Sequence, residues 1–382
     1  MVMAAPAAGS SVPEVEPSLA SGTGGPITSP ATAMLRNGHG LLVPTVDPQG
    51  SMEPSWHEAH PATPADDNQI WTSQFPAHVR APRTLPRGFR GSRVERVWLR
   101  AASVRPGCPV LAVSSADGGV GRSTVVAALG GLLALACPQP VLAVDVSARA
   151  WGGLVHRVGR RNAATVWDAV RDMALLTDRL QVQRLAQLGP TGLWTLVGEV
   201  ELSAVRHPPT VGETVPFVDH VRTLYPLLLL DLPTADTRQV WQVLGASAVP
   251  VLVARASRDS LQHSMRLLAR LRGVGLAEAA DRSVLAVVAT SPRPGCDVRA
   301  AMRQAGDTAG EVLSLPYDRA LAQPDPIDVR SLGRASRRAL VELADAVLRR
   351  CPCDPVAAAT VVDPPQRWEQ AVRDLTLEEG TA

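Results

Sequence analysis

The sequence predicts an α/β domain, a doubly wound, mostly parallel sheet flanked by helices, behind a disordered N-terminal tail. Three observations carry this reading. Short apolar runs alternate with helix-period segments from Pro109 to Cys351, a glycine-rich turn joins the first run to an Ala/Leu-rich helix, and the residues before them show no sustained period.

From Met1 to about Ser92 the chain is rich in Pro, Ala, Gly, Ser and Thr. Such a composition buries too little apolar surface to offset the entropy of ordering, so residues 1–92 are expected to be a disordered tail. Its apolar islands, Trp56, Ile70, Trp71 and Phe75, are candidate docking motifs. His57-Glu58-Ala59-His60 stands among Pro54, Pro61 and Pro64 and lacks the spacing of a zinc-binding helix, so it reads as solvated linker. The chain then turns basic, with Arg80, Arg83, Arg87, Arg90, Arg93, Arg96, Arg100 and Arg105 against Glu95 alone. Residues 93–108 are read as a basic linker whose Val94 to Val104 part adds an edge strand. Contact with nucleic acid or an anionic membrane through the Arg80–Arg105 run is the alternative.

Residues 109–351 form the domain. After the glycine-rich loop, helices are expected at Thr165 to Met173, Thr177 to Gln187, Val215 to Leu224, Ser260 to Leu271 and Ala335 to Arg349. Strands are expected at Val141 to Asp145, Leu193 to Val197, Leu227 to Asp231, Val249 to Ala254, Val284 to Thr290 and Val312 to Leu315. Residues 352–382 add a linker and a helical stretch, Gln366 to Leu377, carrying Trp368, Val372 and Leu375. Its acidic residues outweigh its arginines, which suits a partner or self-packing better than anionic lipid.

Composition narrows the setting. With 382 residues and 46% apolar content a sizeable core is available, while 3% aromatics leaves Ala, Leu and Val to fill it. The net charge of +2 gives no global pull toward polyanions. Five scattered cysteines make no disulfide framework, which points to a reducing cytoplasm, and Cys351-Pro-Cys353 reads as incidental. Met1 to Ala20 lacks the features of a signal peptide, and no apolar run reaches the roughly 20 residues of a membrane span. A cytoplasmic protein is expected, peripheral at the membrane through a partner if at all.

The chemistry gathers in Val110 to Thr124, a strand, loop and helix in which Gly118, Gly119 and Gly121 let backbone N–H groups converge on an anion at a helix N-terminus. Two acidic strand ends follow, Val141 to Asp145 and Leu227 to Pro233 with Asp231, and later Leu315-Pro316-Tyr317-Asp318. In this order the set resembles the MinD/ParA family of deviant Walker A P-loop ATPases, over about Pro109 to Cys351. Asp117 and Arg122 stand at the loop's two lysine positions. All 38 basic residues are arginine, so composition alone accounts for Arg122.

The resemblance implies a P-loop NTPase fold and ATP or ADP with Mg²⁺. Cofactor contacts are implied at Asp117, Gly118, Gly119, Val120, Gly121, Arg122, Ser123, Thr124, Asp145, Thr290 and Pro316, with the metal at Ser123 and Asp231. Ser147 occupies the position of the family's second aspartate, and a neutral hydroxyl cannot act as base at pH 7, so hydrolysis is expected to be weak or absent. The guanidinium of Arg122 is bulkier than the ammonium it replaces. Asp117 replaces a lysine that reaches across the family's homodimer, and a carboxylate there disfavours that dimer. The resemblance further implies a protein partner in a larger machine serving chromosome partitioning, division, pilus or secretion. A pseudo-ATPase adaptor is the first expectation, with a slow ATPase switch and a nonspecific nucleic-acid binder as alternatives.

Overall fold

Val110 to Ser114 is buried at every position, as a strand covered on both faces must be, and it is β1. The other strands are β2 (Leu142–Asp145), β3 (Gln187–Leu188), β4 (Trp194–Leu196), β5 (Leu228–Asp231), β6 (Val249–Arg255), β7 (Val284–Val288) and β8 (Glu311–Leu315). They belong to a computed structural model that describes residues 92–104, 109–137, 139–147, 152–199, 207–293 and 298–351. The tail through Arg90, the His57–His60 group and the Gln366 to Leu377 stretch lie outside the described residues.

The strand order is β3-β4-β2-β5-β1-β6-β7-β8, parallel throughout except that β3 runs antiparallel to β4. From β1 the chain crosses to β2 on one side and, after β5, continues through β6 on the other. The winding therefore reverses beside β1, and the crevice of such a sheet opens at the strands' carboxyl ends there.

The described helices are α1 (Arg93–Ser103), α2 (Arg122–Ala136), α3 (Leu154–Val158), α4 (Val166–Arg171), α5 (Arg179–Leu185), α6 (Val211–Arg222), α7 (Arg238–Ala246), α8 (Arg258–Gly273), α9 (Ala277–Asp281), α10 (Val298–Gly306), α11 (Arg319–Ala322) and α12 (Arg334–Arg350). Alternate residues of the central strands feed two cores. Ala112, Val144 and Leu230 pack with α4, α6, α7 and α8, whereas Leu111, Val113 and Leu229 pack with α1, α2 and α12. Helix α2 is apolar nearly all round and accordingly buried. Among the described residues Cys137 and Cys351 are buried, and no helix is long and apolar enough to cross a membrane.

The edge strand expected at Val94 to Val104 is instead helix α1. Ser92 caps it by accepting from the Glu95 backbone N–H at 3.2 Å, and Val97, Ala101 and Val104 recur at helical spacing on the buried face. The helix lies on α12. Arg93 pairs with Glu342 at 2.7 Å and Arg100 pairs with Asp345, so these arginines hold the fold and are not a solvated linker. Elsewhere the expected Thr165 to Met173 helix is two pieces, α4 and a short 3₁₀ turn at Met173–Leu175. Helix α6 starts four residues earlier than its apolar period suggested, at a Thr210 capping box closed by Glu213.

Candidate nucleotide site

The loop after β1 turns sharply because Gly119 and Gly121 take φ of 68° and 94°, the left-handed region that glycine enters freely. A Cβ placed on Gly118 or Gly119 would meet nothing within 4 Å, so the loop borders open space. Gly121 is the N-cap of α2 and offers no side-chain cap, and the first turn of α2 carries no acidic residue. The helix N-terminus is thus left to an external anion. Val120 faces the other way, into the core, and Thr124 is buried behind the loop.

The sheet brings the acidic residues beneath this loop. Asp145 and Asp231 end β2 and β5 and are register neighbours, each about 1% exposed. The Ser147 hydroxyl donates to Asp145 Oδ1 at 2.7 Å, and the Gly198 backbone N–H donates to Oδ2 at 3.3 Å. Arg122 turns back onto the sheet. Its Nε donates to Asp231 Oδ1 at 3.0 Å and its Nη1 to Ser115 Oγ at 3.1 Å. Ser123 also bonds the Asp231 carboxylate. Burial first and the Asp145 charge second push Asp231 up to about 6, against the pull of Arg122 and Ser123.

Asp117, at the other end of the loop, is held by α8. It accepts from the Ser260 hydroxyl at 2.7 Å and meets His263 Nδ1 at 2.7 Å. The Ser115 hydroxyl donates to the Asp117 carbonyl at 2.7 Å, which links the two ends of the loop through one serine. Ser260 and His263 escaped the sequence reading. The signal was there in the Ser257 N-cap, since positions three apart on α8 share a face.

Of the expected residues, Asp117 through Ser123, Asp145, Ser147 and Asp231 come together. Thr290 follows β7 as an exposed residue and Pro316 follows β8, both at the same end of the sheet but beyond β6. Val288 of β7 approaches the loop, lying 3.6 Å from where a Gly121 Cβ would stand.

A family model described as cellulose biosynthesis protein BcsQ, a ParA/MinD-like family, matches residues 108–272, the stretch that holds the loop and both aspartates. Over that stretch the domain is similar to the MinD/ParA-like P-loop family. The chain is also 27% identical over 241 residues to the ESX-1 secretion-associated protein EspI of Mycobacterium tuberculosis, covering 62% of this chain and 36% of that one. It therefore spans little more than a third of the curated relative it matches. Among solved structures it is similar to a ParA family ATPase from Chlorobium tepidum, with 17% identity, a TM-score of 0.49, and 62% of this chain and 99% of that one covered. A second is the septum site-determining protein MinD from Pyrococcus horikoshii complexed with Mg-ADP, with 17% identity, a TM-score of 0.47, and 66% and 98% covered.

Proposed function

We propose that this protein is a MinD/ParA-like nucleotide-binding adaptor that positions or regulates a larger machine through a protein partner, with weak or absent ATP hydrolysis. The observation that carries the reading is the state of the loop and its acidic pair. The glycines and the uncapped end of α2 suit ATP or ADP phosphates, while the second carboxylate is replaced by Ser147, whose hydroxyl is spent on Asp145. The name of the EspI relative makes a secretion apparatus the first machine to examine. The engagement of Asp117 by Ser260 and His263 of its own chain supports a protein that acts without the family's nucleotide-sandwich homodimer. Arg93 and Arg100 are committed to Glu342 and Asp345, which weakens the nucleic-acid reading of the arginine run.

Nucleotide at about 100 times its dissociation constant should stabilise the domain by roughly 2.7 kcal/mol, read as an upward thermal shift. Phosphate release under the same conditions should stay at background, and Ser147→Asp is the variant expected to raise it. Brisk release from the unaltered protein would replace the adaptor reading with the ATPase switch. Absence of any shift with ATP or ADP would end the nucleotide reading, and capture of components of a secretion system by the full chain would identify the machine.

A further inference from the structure

The resemblance expects Mg²⁺ between Ser123 and Asp231, and the residues present do not fit it. Asp231 Oδ1 already accepts from Arg122 Nε at 3.0 Å, and Ser123 bonds the same carboxylate. Both oxygens of the neighbouring Asp145 accept from Ser147 and Gly198. Removing Arg122 from this place would leave two buried carboxylates side by side at the ends of adjacent parallel strands, an arrangement that strongly resists loss of its counter-charge. A divalent ion added beside Arg122 would meet like charge on the carboxylate it needs.

The guanidinium is also fixed on a second side. Nη1 donates to Ser115 Oγ, and the Ser115 hydroxyl proton is committed to the Asp117 carbonyl. Among the described residues Nη2 has no hydrogen-bond partner, although the Arg122 side chain is only 18% exposed. A planar guanidinium held through Nε and one Nη keeps its remaining N–H groups in a set direction, a geometry suited to phosphate oxygens. It stands at the first position of α2, where the free backbone N–H groups of the loop end.

We propose that Arg122 is the resident cation of this site, so that the loop takes a nucleoside di- or triphosphate without a divalent metal ion. Charge that a bound metal would carry to the acidic pair is supplied by the chain, and the phosphates are met by loop N–H groups, the α2 dipole and the free edge of the guanidinium. The inference rests on the nucleotide reading given above and deepens it by naming the form of the ligand.

Titration calorimetry of the full chain with ATP and with ADP, once in EDTA and once in excess Mg²⁺, tests it. Because Mg²⁺ itself ties up nucleotide in solution, a site that takes the metal-free form should bind at least about tenfold more weakly in excess Mg²⁺ than in EDTA. Mn²⁺ added with nucleotide should show no protein-bound species by electron paramagnetic resonance, beyond the Mn²⁺–nucleotide complex seen without protein. Arg122→Lys, checked for folding by circular dichroism, should bind at least about tenfold tighter with Mg²⁺ than in EDTA, because the smaller ammonium releases Asp231. Unaltered protein that binds more than about tenfold tighter with Mg²⁺, or that retains Mn²⁺ in the complex, overturns the proposal and leaves the nucleotide reading standing. Binding in neither condition overturns both.

Discussion

Two buried aspartates, Asp345 on α12 and Asp231 at the end of β5, are both held by arginine, the first by three guanidinium groups and the second by one among the described residues. Asp345 faces Arg93, Arg100 and Arg349, three guanidinium groups from two helices around one carboxylate that is 3% exposed. Asp231 is met by Arg122 alone among the described arginines, beside its buried register neighbour Asp145. Arg93 is shared with Glu342 and Arg349 with Glu311, and this network makes the first cluster a fastening, since any one pair can go while Asp345 keeps another. At the second, Arg122 is the one guanidinium on Asp231 among the described residues, and it sits where the glycine-rich loop opens to solvent. Buried ion pairs are poor evidence of stability as such, but breaking one that has no substitute is costly.

The sharpest way to break the comparison is Arg122→Ala. It should lower stability by about 3 kcal/mol in urea denaturation, because the buried Asp231 carboxylate loses the guanidinium that pairs with it. Combining it with Asp231→Asn should recover most of that loss. A cost below about 1 kcal/mol for the single change would mean that water or Ser123 compensates Asp231 unaided.

Arg100→Ala should cost about 1 kcal/mol, since Arg93 and Arg349 remain on Asp345. Limited proteolysis of the unaltered chain should give a stable fragment that begins before Ser92 and keeps α1. Early cleavage within Arg93–Ser103 would contradict the fastening. Asp117→Ala belongs lower on the scale. His263 is 47% exposed, so solvent screens the pair, and the change should cost no more than about 1 kcal/mol while loosening the loop from α8. Slower amide exchange in the loop after this substitution would count against the latch.

The smallest effect concerns a carboxylate held without arginine. Burial pushes Asp318 upward, but the Gly333 backbone N–H, the Ser336 side chain and the Ala320 backbone N–H more than offset it and hold the group below its usual value. A depressed folded value means that its contribution is present above the unfolded value near 4 and is lost as pH falls through the folded one. Asp318→Asn should therefore lower stability modestly at neutral pH and flatten the acid limb, the variant and the unaltered protein converging as pH falls below about 4. An unchanged acid limb would show that these donors do not favour the charged form.

Much of the fold and the loop was legible because local rules dictate them. The apolar runs of β1, β5 and β6 lie buried where their composition placed them, Gly119 and Gly121 take the positive φ that a phosphate loop needs, and the alternation of strands and helices leads to a parallel sheet. The edge strand failed for a reason that was also local. Ser92 followed by Glu95 is an N-terminal helix signal, and the spacing of Val97, Ala101 and Val104 is helical, yet the arginines between them disguised the face.

What the tertiary structure alone decided is where the charged side chains of the site point. Arg122 and Asp231 are 109 residues apart, and Asp117 lies 143 and 146 residues from Ser260 and His263. Sequence named Asp117, Arg122, Asp145, Ser147 and Asp231 as the positions that matter, through their order and their place at strand and helix ends. It could not say that Arg122 turns inward to an aspartate or that Asp117 is taken by α8, because a side chain's partner depends on which elements the crossovers bring together and how much water burial leaves there. Backbone conformation follows from neighbours along the chain, whereas the charge state of a buried pair follows from neighbours in space.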